Sequence, residues 1–216
     1  MTGPRGAQDE TARRRAGGAW RRVVRMAALA GIMALAGCAG GGAPDALYGL
    51  VAPAEMQVEA RRRAASVQVL VPPPRALQAL DTSNIAVVDT GPVYTYFPKA
   101  AWTDTLPNVV QAKIVETLEN TRGLRGIGLP GEGLLIDYQL QTDLRAFELR
   151  IDGQDRAVVE LMARLVDDRN GRTKSSRIFR AEVPASSTNV ADAVQAMNRA
   201  ADGVLRELAA WVLTRV

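Results

Sequence analysis

The sequence predicts an α+β fold, a single domain in which one twisted, mainly antiparallel sheet carries two helices packed on one face. Three observations lead there. Runs of period-two alternation stand on both sides of a single stretch with helical period. A strong turn, Asp167-Asp168-Arg169-Asn170-Gly171, joins two of the alternating runs. The chain then closes on one long apolar stripe at three- and four-residue spacing. Several strands, a helix, a three-stranded meander and a long helix make one layered domain.

The domain, residues 47–216, opens with Leu47-Tyr48-Gly49-Leu50-Val51, a short strand. Ser66 to Val71 alternates, with Val67, Val69 and Val71 on one side and Gln68 and Leu70 on the other. It stops at Pro72-Pro73-Pro74, which has no backbone donors to continue a ladder. Ala76 to Leu80 is a turn-like piece, and Ile85-Ala86-Val87-Val88 is the next strand. Val93 to Phe97, aromatic and β-branched, makes another that leads into Ala100-Ala101-Trp102.

Between Leu106 and Asn120 the period becomes helical, with Leu106, Val109, Val110, Ile114 and Leu118 on one stripe. Thr105 is the expected N-cap, and Pro107 is tolerated in the first turn. Gly123, Gly126, Gly128, Gly131 and Gly133 follow, without the spacing or the Lys-Ser/Thr of a phosphate-binding motif, so the segment reads as a flexible loop. From Leu134 the alternation returns: Ile136, Tyr138, Leu140 and Leu144 share one parity, and Phe147, Leu149 and Ile151 share the other. Such a switch needs an inserted residue, which predicts a β-bulge or sharp bend near Arg145-Ala146. Asp152-Gly153 makes a turn into Arg156 to Val166, with Val159, Leu161, Ala163 and Leu165 on one face. The return strand is Ser175 to Val183, with Phe179, Ala181 and Val183 inward. Asn189 caps the last helix, with Asp192 in its first turn. Val190, Val194, Met197, Ala201, Val204, Leu208 and Trp211 trace its stripe, which reads as core packing.

Ahead of the domain, Arg13, Arg14, Arg15, Arg21, Arg22 and Arg25 precede an apolar stretch, Met26 to Ala36. That stretch is 11 residues long, or 14 counted from Val23. Both fall short of the about 20 a spanning helix needs. The small residues Gly37 and Ala36 lead directly into Cys38, the only cysteine. A basic start, an apolar middle and a small-residue cleavage site make a secretory signal over residues 1–37, with the cut between Gly37 and Cys38. The run Leu35-Ala36-Gly37-Cys38 resembles the bacterial lipoprotein signal, in which the thiol is acylated and becomes the new N-terminus. The residues after Arg21-Arg22 fit the twin-arginine route poorly, which leaves the general secretory route. Residues 38–46, rich in Gly, Ala and Pro, read as a flexible lipidated tether.

Removing the signal changes the electrostatics. The whole chain has 27 basic and 23 acidic side chains. Seven of those arginines, against only Asp9 and Glu10, lie in residues 1–37, which leaves 20 basic and 21 acidic in the mature part. The basicity belongs to the targeting segment, so nothing argues for a nucleic acid partner. The one cationic run left, Arg61-Arg62-Arg63, reads as a solvated loop or strand edge. With one cysteine there is no disulfide framework, so stability must come from buried apolar area.

Histidine is absent altogether. That excludes Ser-His and Cys-His nucleophile pairs, histidine zinc sites and a histidine general base. Asp137/Asp143 and Asp167/Asp168 are the carboxylate pairs to consider, but exposed strand faces and a turn make them solvated charge. No catalytic residue, metal site or cofactor is expected.

The layout is similar to the ABC-type transport auxiliary lipoproteins, partners of intermembrane lipid transport systems built from mammalian-cell-entry (MCE) domain proteins. The residues that carry the resemblance are Cys38, Tyr48-Gly49-Leu50, the strand Val67 to Val71, and Tyr94-Thr95-Tyr96 to Trp102 with Leu106 behind it. They continue with Leu144-Arg145-Ala146-Phe147, Val159 to Asp167 with Asn170-Gly171, Arg177 to Val183, and the last helix through Trp211. The resemblance implies a non-enzymatic domain tethered to the periplasmic face of the outer membrane. There it would dock an MCE-domain protein while an ATPase and permease supply energy. Ala39 after Cys38, in place of the aspartate that retains many enteric lipoproteins at the inner membrane, favours the outer membrane. A thioether-linked diacylglycerol plus an amide-linked chain such as palmitate anchors firmly, at about 0.8 kcal/mol per buried methylene. The alternative role is an accessory lipoprotein for assembling outer-membrane proteins or lipopolysaccharide.

Tyr94, Tyr96, Phe97 and Trp102 form the densest aromatic cluster. Core packing accounts for such a cluster, and a surface that contacts a partner protein or lipid is the sharper reading, since aromatics are enriched at interfaces. Homo-oligomerisation as a ring or dimer stays open, but no apolar stripe is left over for it once the core is filled.

Overall fold

The computed structural model describes residues 43–54, 56 and 64–216. The expected cleavage and lipidation site at Gly37 and Cys38, and the run Arg61–Arg63, lie outside the described residues. The strands are β1 (Ala46–Tyr48), β2 (Gln68–Leu70), β3 (Arg75–Ala76), β4 (Asn84–Val88), β5 (Tyr94–Trp102), β6 (Gly126–Gly128), β7 (Tyr138–Arg150), β8 (Arg156–Asp167) and β9 (Thr173–Pro184). The α-helices among the described residues are α1 (Leu106–Asn120) and α2 (Val190–Arg215). The α+β class expected from the sequence is the class observed.

All nine strands among the described residues join one open sheet with β7 as its spine. One side of β7 pairs along its whole length with β8, which pairs in turn with β9, both antiparallel. The other side is shared: β2 and β3 run parallel to its first half and β4 parallel to its second half. Beyond β4 lies antiparallel β5, then parallel β1, and beyond β2 lies parallel β6. Antiparallel pairing dominates by length, and the short strands add parallel contacts. Each parallel neighbour of β7 is separated from it in sequence by a long connection, as parallel pairing requires.

β7 shifts register against β8 between Leu144 and Ala146, which leaves Arg145 as the extra residue. Leu140 and Leu144 before it, and Phe147 and Leu149 after it, are all buried, so the bulge keeps both halves of the strand facing the core. The β8–β9 turn closes with Gly171 N–H donating to the Asp167 carbonyl at 2.9 Å, and Gly171 sits at φ 69°. That left-handed backbone suits glycine. β5 is more irregular than its composition suggests: five steps from Tyr96 to Ala101 face two steps from Ala86 to Asn84, and Lys99 has φ 55°.

Two expectations change. Residues 123–133 are not loop throughout, because Gly126–Gly128 forms β6 against β2. Glycine is depleted in strands, so propensity hides this one. At Gly128 a Cβ would stand 3.0 Å from Leu134 Cδ1, a close approach that glycine permits. The ladder that alternation places from Leu134 begins only at Tyr138. Leu134 and Leu135 precede it and are 44% and 90% exposed.

Both helices pack into one core. Leu106, Val109, Val110, Ile114 and Leu118 of α1 are buried, as are Val194, Met197, Ala201, Val204, Leu208 and Trp211 of α2. The buried face of α2 is wider than one stripe, taking in Ala193, Ala196, Ala200, Leu205 and Val212 as well. Trp211 meets Phe179 of β9 edge-on at 5.7 Å, a favourable aromatic geometry. The Asn189 side chain accepts the Asp192 N–H at 2.9 Å. Thr105 occupies the N-cap position of α1 without a side-chain cap. Asp104 takes part of that role, accepting the Thr105 N–H at 2.6 Å and the Asn108 amide at 3.2 Å. Among the described residues no helix is long and apolar enough to cross a membrane.

Candidate functional site

The four aromatics singled out by sequence do not stay together. Trp102 is enclosed in the core, edge-on to Phe147 at 5.5 Å, and Phe97 is half-buried against the same core. Tyr94 and Tyr96 lie on the sheet face that no helix of the described residues covers. Register places Tyr96 in one row with Ala86, Glu148, Val158 and Glu182, and Tyr94 in a row with Val88, Arg150 and Arg156. The Tyr94 hydroxyl donates to Glu148 Oε2 at 3.2 Å. The Tyr96 hydroxyl donates to the Ala79 carbonyl at 3.2 Å, and its side chain is 39% exposed. The structure thus keeps two of the four on a surface.

That surface is a lattice of alternating charge. Glu148 is fully buried and accepts Arg150 Nε at 3.0 Å. Arg150 reaches Asp152 at 3.9 Å, and Asp152 accepts Arg156 at 2.8 Å. Arg156 meets Glu182 at 3.0 Å, Glu182 meets Arg180 at 2.6 Å, and Arg180 meets Glu160 at 2.6 Å. Arg145, the bulge residue, ends the chain 3.8 Å from Glu160. A second group links Arg75 and Arg164 through Asp143. Beneath the charges, Ala86, Val88, Ala146 and Val158 form a buried apolar floor. Long arginine stems cover such a floor while their heads stay in contact with water.

The charges perturb one another in consistent directions. Burial first, then the nearby Glu148 carboxylate, pushes the Tyr94 hydroxyl above its usual range. Hydrogen bonds from Arg180 and then Arg156 hold Glu182 below the ordinary carboxylate range. The same pairing raises Arg180, through Glu182 and then Glu160. Every carboxylate here is tied to a guanidinium, an arrangement that fixes geometry and holds no group ready to transfer a proton.

Of the carboxylate pairs raised by the sequence, one is tied to guanidinium groups and the other, among the described residues, only to amide N–H groups. Asp137 pairs with Arg169 at 3.1 Å, and Asp143 with Arg75 at 2.7 Å. The two lie six residues apart on or beside one strand, about 20 Å when extended. Asp168 accepts the Gln139 amide at 2.6 Å, and Asp167 accepts the Arg169 N–H at 3.0 Å. Among the described residues no group of three His, Cys, Asp or Glu could hold a metal ion.

At one end of the sheet the β8–β9 turn, the start of β7 and the entry to β2 enclose a cleft of about 670 Å³. Its lining includes Gln68, Arg125, Leu135, Asp137, Asp167 and Arg169. Gln68 and Asp137 exchange backbone contacts: Asp137 N–H donates to the Gln68 carbonyl, and Gln68 N–H donates to Asp137 Oδ2, both at 3.0 Å. Asp168 N–H donates to the Asp137 carbonyl at 3.0 Å, which joins the turn to the strand. Sequence reasoning missed this cleft because its walls come from segments around residues 66, 125, 136 and 168, and the parallel pairings of β2 with β7 and with β6 are needed to bring them together.

Comparison with known proteins agrees with this architecture. The family described as ABC-type transport auxiliary lipoprotein component matches residues 48–209. An uncharacterized protein of Bradyrhizobium diazoefficiens is 32% identical over 181 residues, covering 82% of this chain and 48% of its own length. The chain therefore spans about half the length of that curated relative. A crystal structure of a DUF330 protein from Xanthomonas campestris superposes with a TM-score of 0.73 at 26% identity, covering 79% of this chain and 95% of that one. A crystal structure of a further uncharacterized protein shares the fold with a TM-score of 0.58 at 14% identity, over 79% of this chain and 97% of that one.

Proposed function

Because this chain belongs to the family of ABC-type transport auxiliary lipoprotein components, we propose that it docks an MCE-domain partner in an ABC-powered intermembrane phospholipid transport system. In this reading it is non-enzymatic, exported by residues 1–37, acylated on Cys38 and held at the periplasmic face of the outer membrane. The family match across 48–209, next to the Leu35-Ala36-Gly37-Cys38 run, is the observation that carries the proposal. Two or more acyl chains at one sulfur and one amine suffice for stable attachment, whereas one is marginal. The ion-paired sheet face with Tyr94 and Tyr96 is the proposed docking surface, since tyrosine and arginine are both enriched where proteins meet.

The test is affinity purification of the full chain from crosslinked envelopes. Recovery of an MCE-domain protein is expected, and a repeated return without one would sink the proposal. Cys38→Ser is expected to leave the chain unprocessed or soluble. If that variant still fractionated with outer membranes after carbonate washing, the anchor would be elsewhere. Replacing Tyr96 with Ala should weaken partner recovery without lowering the melting temperature, and parallel losses of both would return Tyr96 to a structural role.

A further inference from the structure

The cleft beside the β8–β9 turn holds two cations and two carboxylates, and they are not equally engaged. Asp137 and Arg169 satisfy one another at 3.1 Å. Arg125 is exposed, and its guanidinium makes no hydrogen bond or ion pair among the described residues. Asp167 contacts the backbone N–H of Arg169 and, among the described residues, no cation. One wall thus offers an unpaired positive group and another an unpaired negative one, with no net charge over the four. Leu135 lines the same cleft while 90% exposed, and Leu134 and Leu129 of the same loop are exposed beside it. Leu129 N–H donates to Glu132 Oε2 at 2.8 Å, which closes the turn just ahead of Leu134 and Leu135.

From this geometry we infer that the cleft takes the headgroup of a zwitterionic phospholipid of the phosphoethanolamine type. The phosphate sits on Arg125, the ammonium on Asp167, and the glycerol and first methylenes lie against Leu135. Charge complementarity selects a zwitterion, because a purely anionic headgroup on Arg125 would leave the carboxylate of Asp167 without a cation. Asp167 selects a primary ammonium, which donates hydrogen bonds, over a quaternary one, which cannot. The leucines select a lipid over a free zwitterion of the same charge. The inference rests on the reading of the chain as membrane-tethered, which puts bilayer lipid within reach of the domain.

The experiment titrates full-length lipidated protein, in nonionic detergent, with water-soluble dihexanoyl phosphatidylethanolamine, followed by calorimetry. Saturable binding is expected, with affinity falling about tenfold or more in Arg125→Ala and in Asp167→Asn, the latter keeping an oxygen for the Arg169 N–H. Leu135→Asp should weaken the lipid but leave free phosphoethanolamine unchanged. The choline lipid should bind at least about tenfold more weakly than the ethanolamine one. Wild-type affinity in Arg125→Ala would overturn the site. Equal binding of inorganic phosphate would reduce it to an anion site, and equal binding of free phosphoethanolamine would remove the lipid from it. Partner recovery from crosslinked envelopes is read in parallel. Failed lipid binding with intact recovery sinks this inference alone, and the reverse sinks the docking role alone.

Discussion

Glu148 is the residue whose loss should be felt most outside the apolar core. It is buried, charged and held by Arg150 and the Tyr94 hydroxyl, so Glu148→Ala removes the nearer anion from a partly buried guanidinium and the acceptor from a phenol at once. The expected loss is about 3 kcal/mol in urea unfolding, with Glu148→Gln intermediate. A Glu148→Ala protein as stable as the parent would mean that water replaces the carboxylate at no cost. Trp102 belongs to a different class, because its ring is enclosed against Phe147. Trp102→Ala should cost about 3–5 kcal/mol through the cavity it leaves. Composition alone does not tell Trp102 from Tyr96. What separates them is the irregular stretch through Pro98 and Lys99, which lies between the tyrosine end of β5 and its buried end.

The two helices make a controlled comparison at the level of the element. Asn189 closes a side-chain bond to the Asp192 N–H, and Thr105 closes none. Asn189→Ala should therefore cost about 1 kcal/mol. Thr105→Ala should cost close to nothing, and Asp104→Ala more than Thr105→Ala; equal losses at 189 and 105 in chemical denaturation would contradict the geometry. Sequence pattern located both helices and the β7–β8–β9 meander because their burial repeats with a fixed period. The parity switch at Arg145-Ala146 was legible for the same reason, since no unbulged strand could bury both Leu144 and Phe147. β6 and β3 were not legible: a Gly-Ile-Gly strand and a two-residue bridge have no period to read, and their partners, β2 for β6 and β7 for β3, are remote in sequence. The cleft failed to show for that same reason.

For the molecule as a whole, the acid response follows from the sheet surface. Glu182 is held below the ordinary carboxylate range by Arg180 and Arg156, so folding favours its ionised form. That stability is present above the unfolded carboxylate value and is lost as pH falls through the folded one. The urea midpoint should thus decline on acidification, and Glu182→Gln should flatten the decline; an unchanged slope would show that the lattice does not report on folding. With no histidine in 216 residues, no side chain of unperturbed pKa titrates between pH 6 and 8, and the midpoint should be level there. The same surface has a practical corollary. Its guanidinium and carboxylate groups already neutralise one another along the row from Glu148 to Arg145. A protein seated there would gain little from long-range attraction, so raising ionic strength should neither slow its arrival nor strip it away. A complex formed through this face should come through a high-salt wash intact.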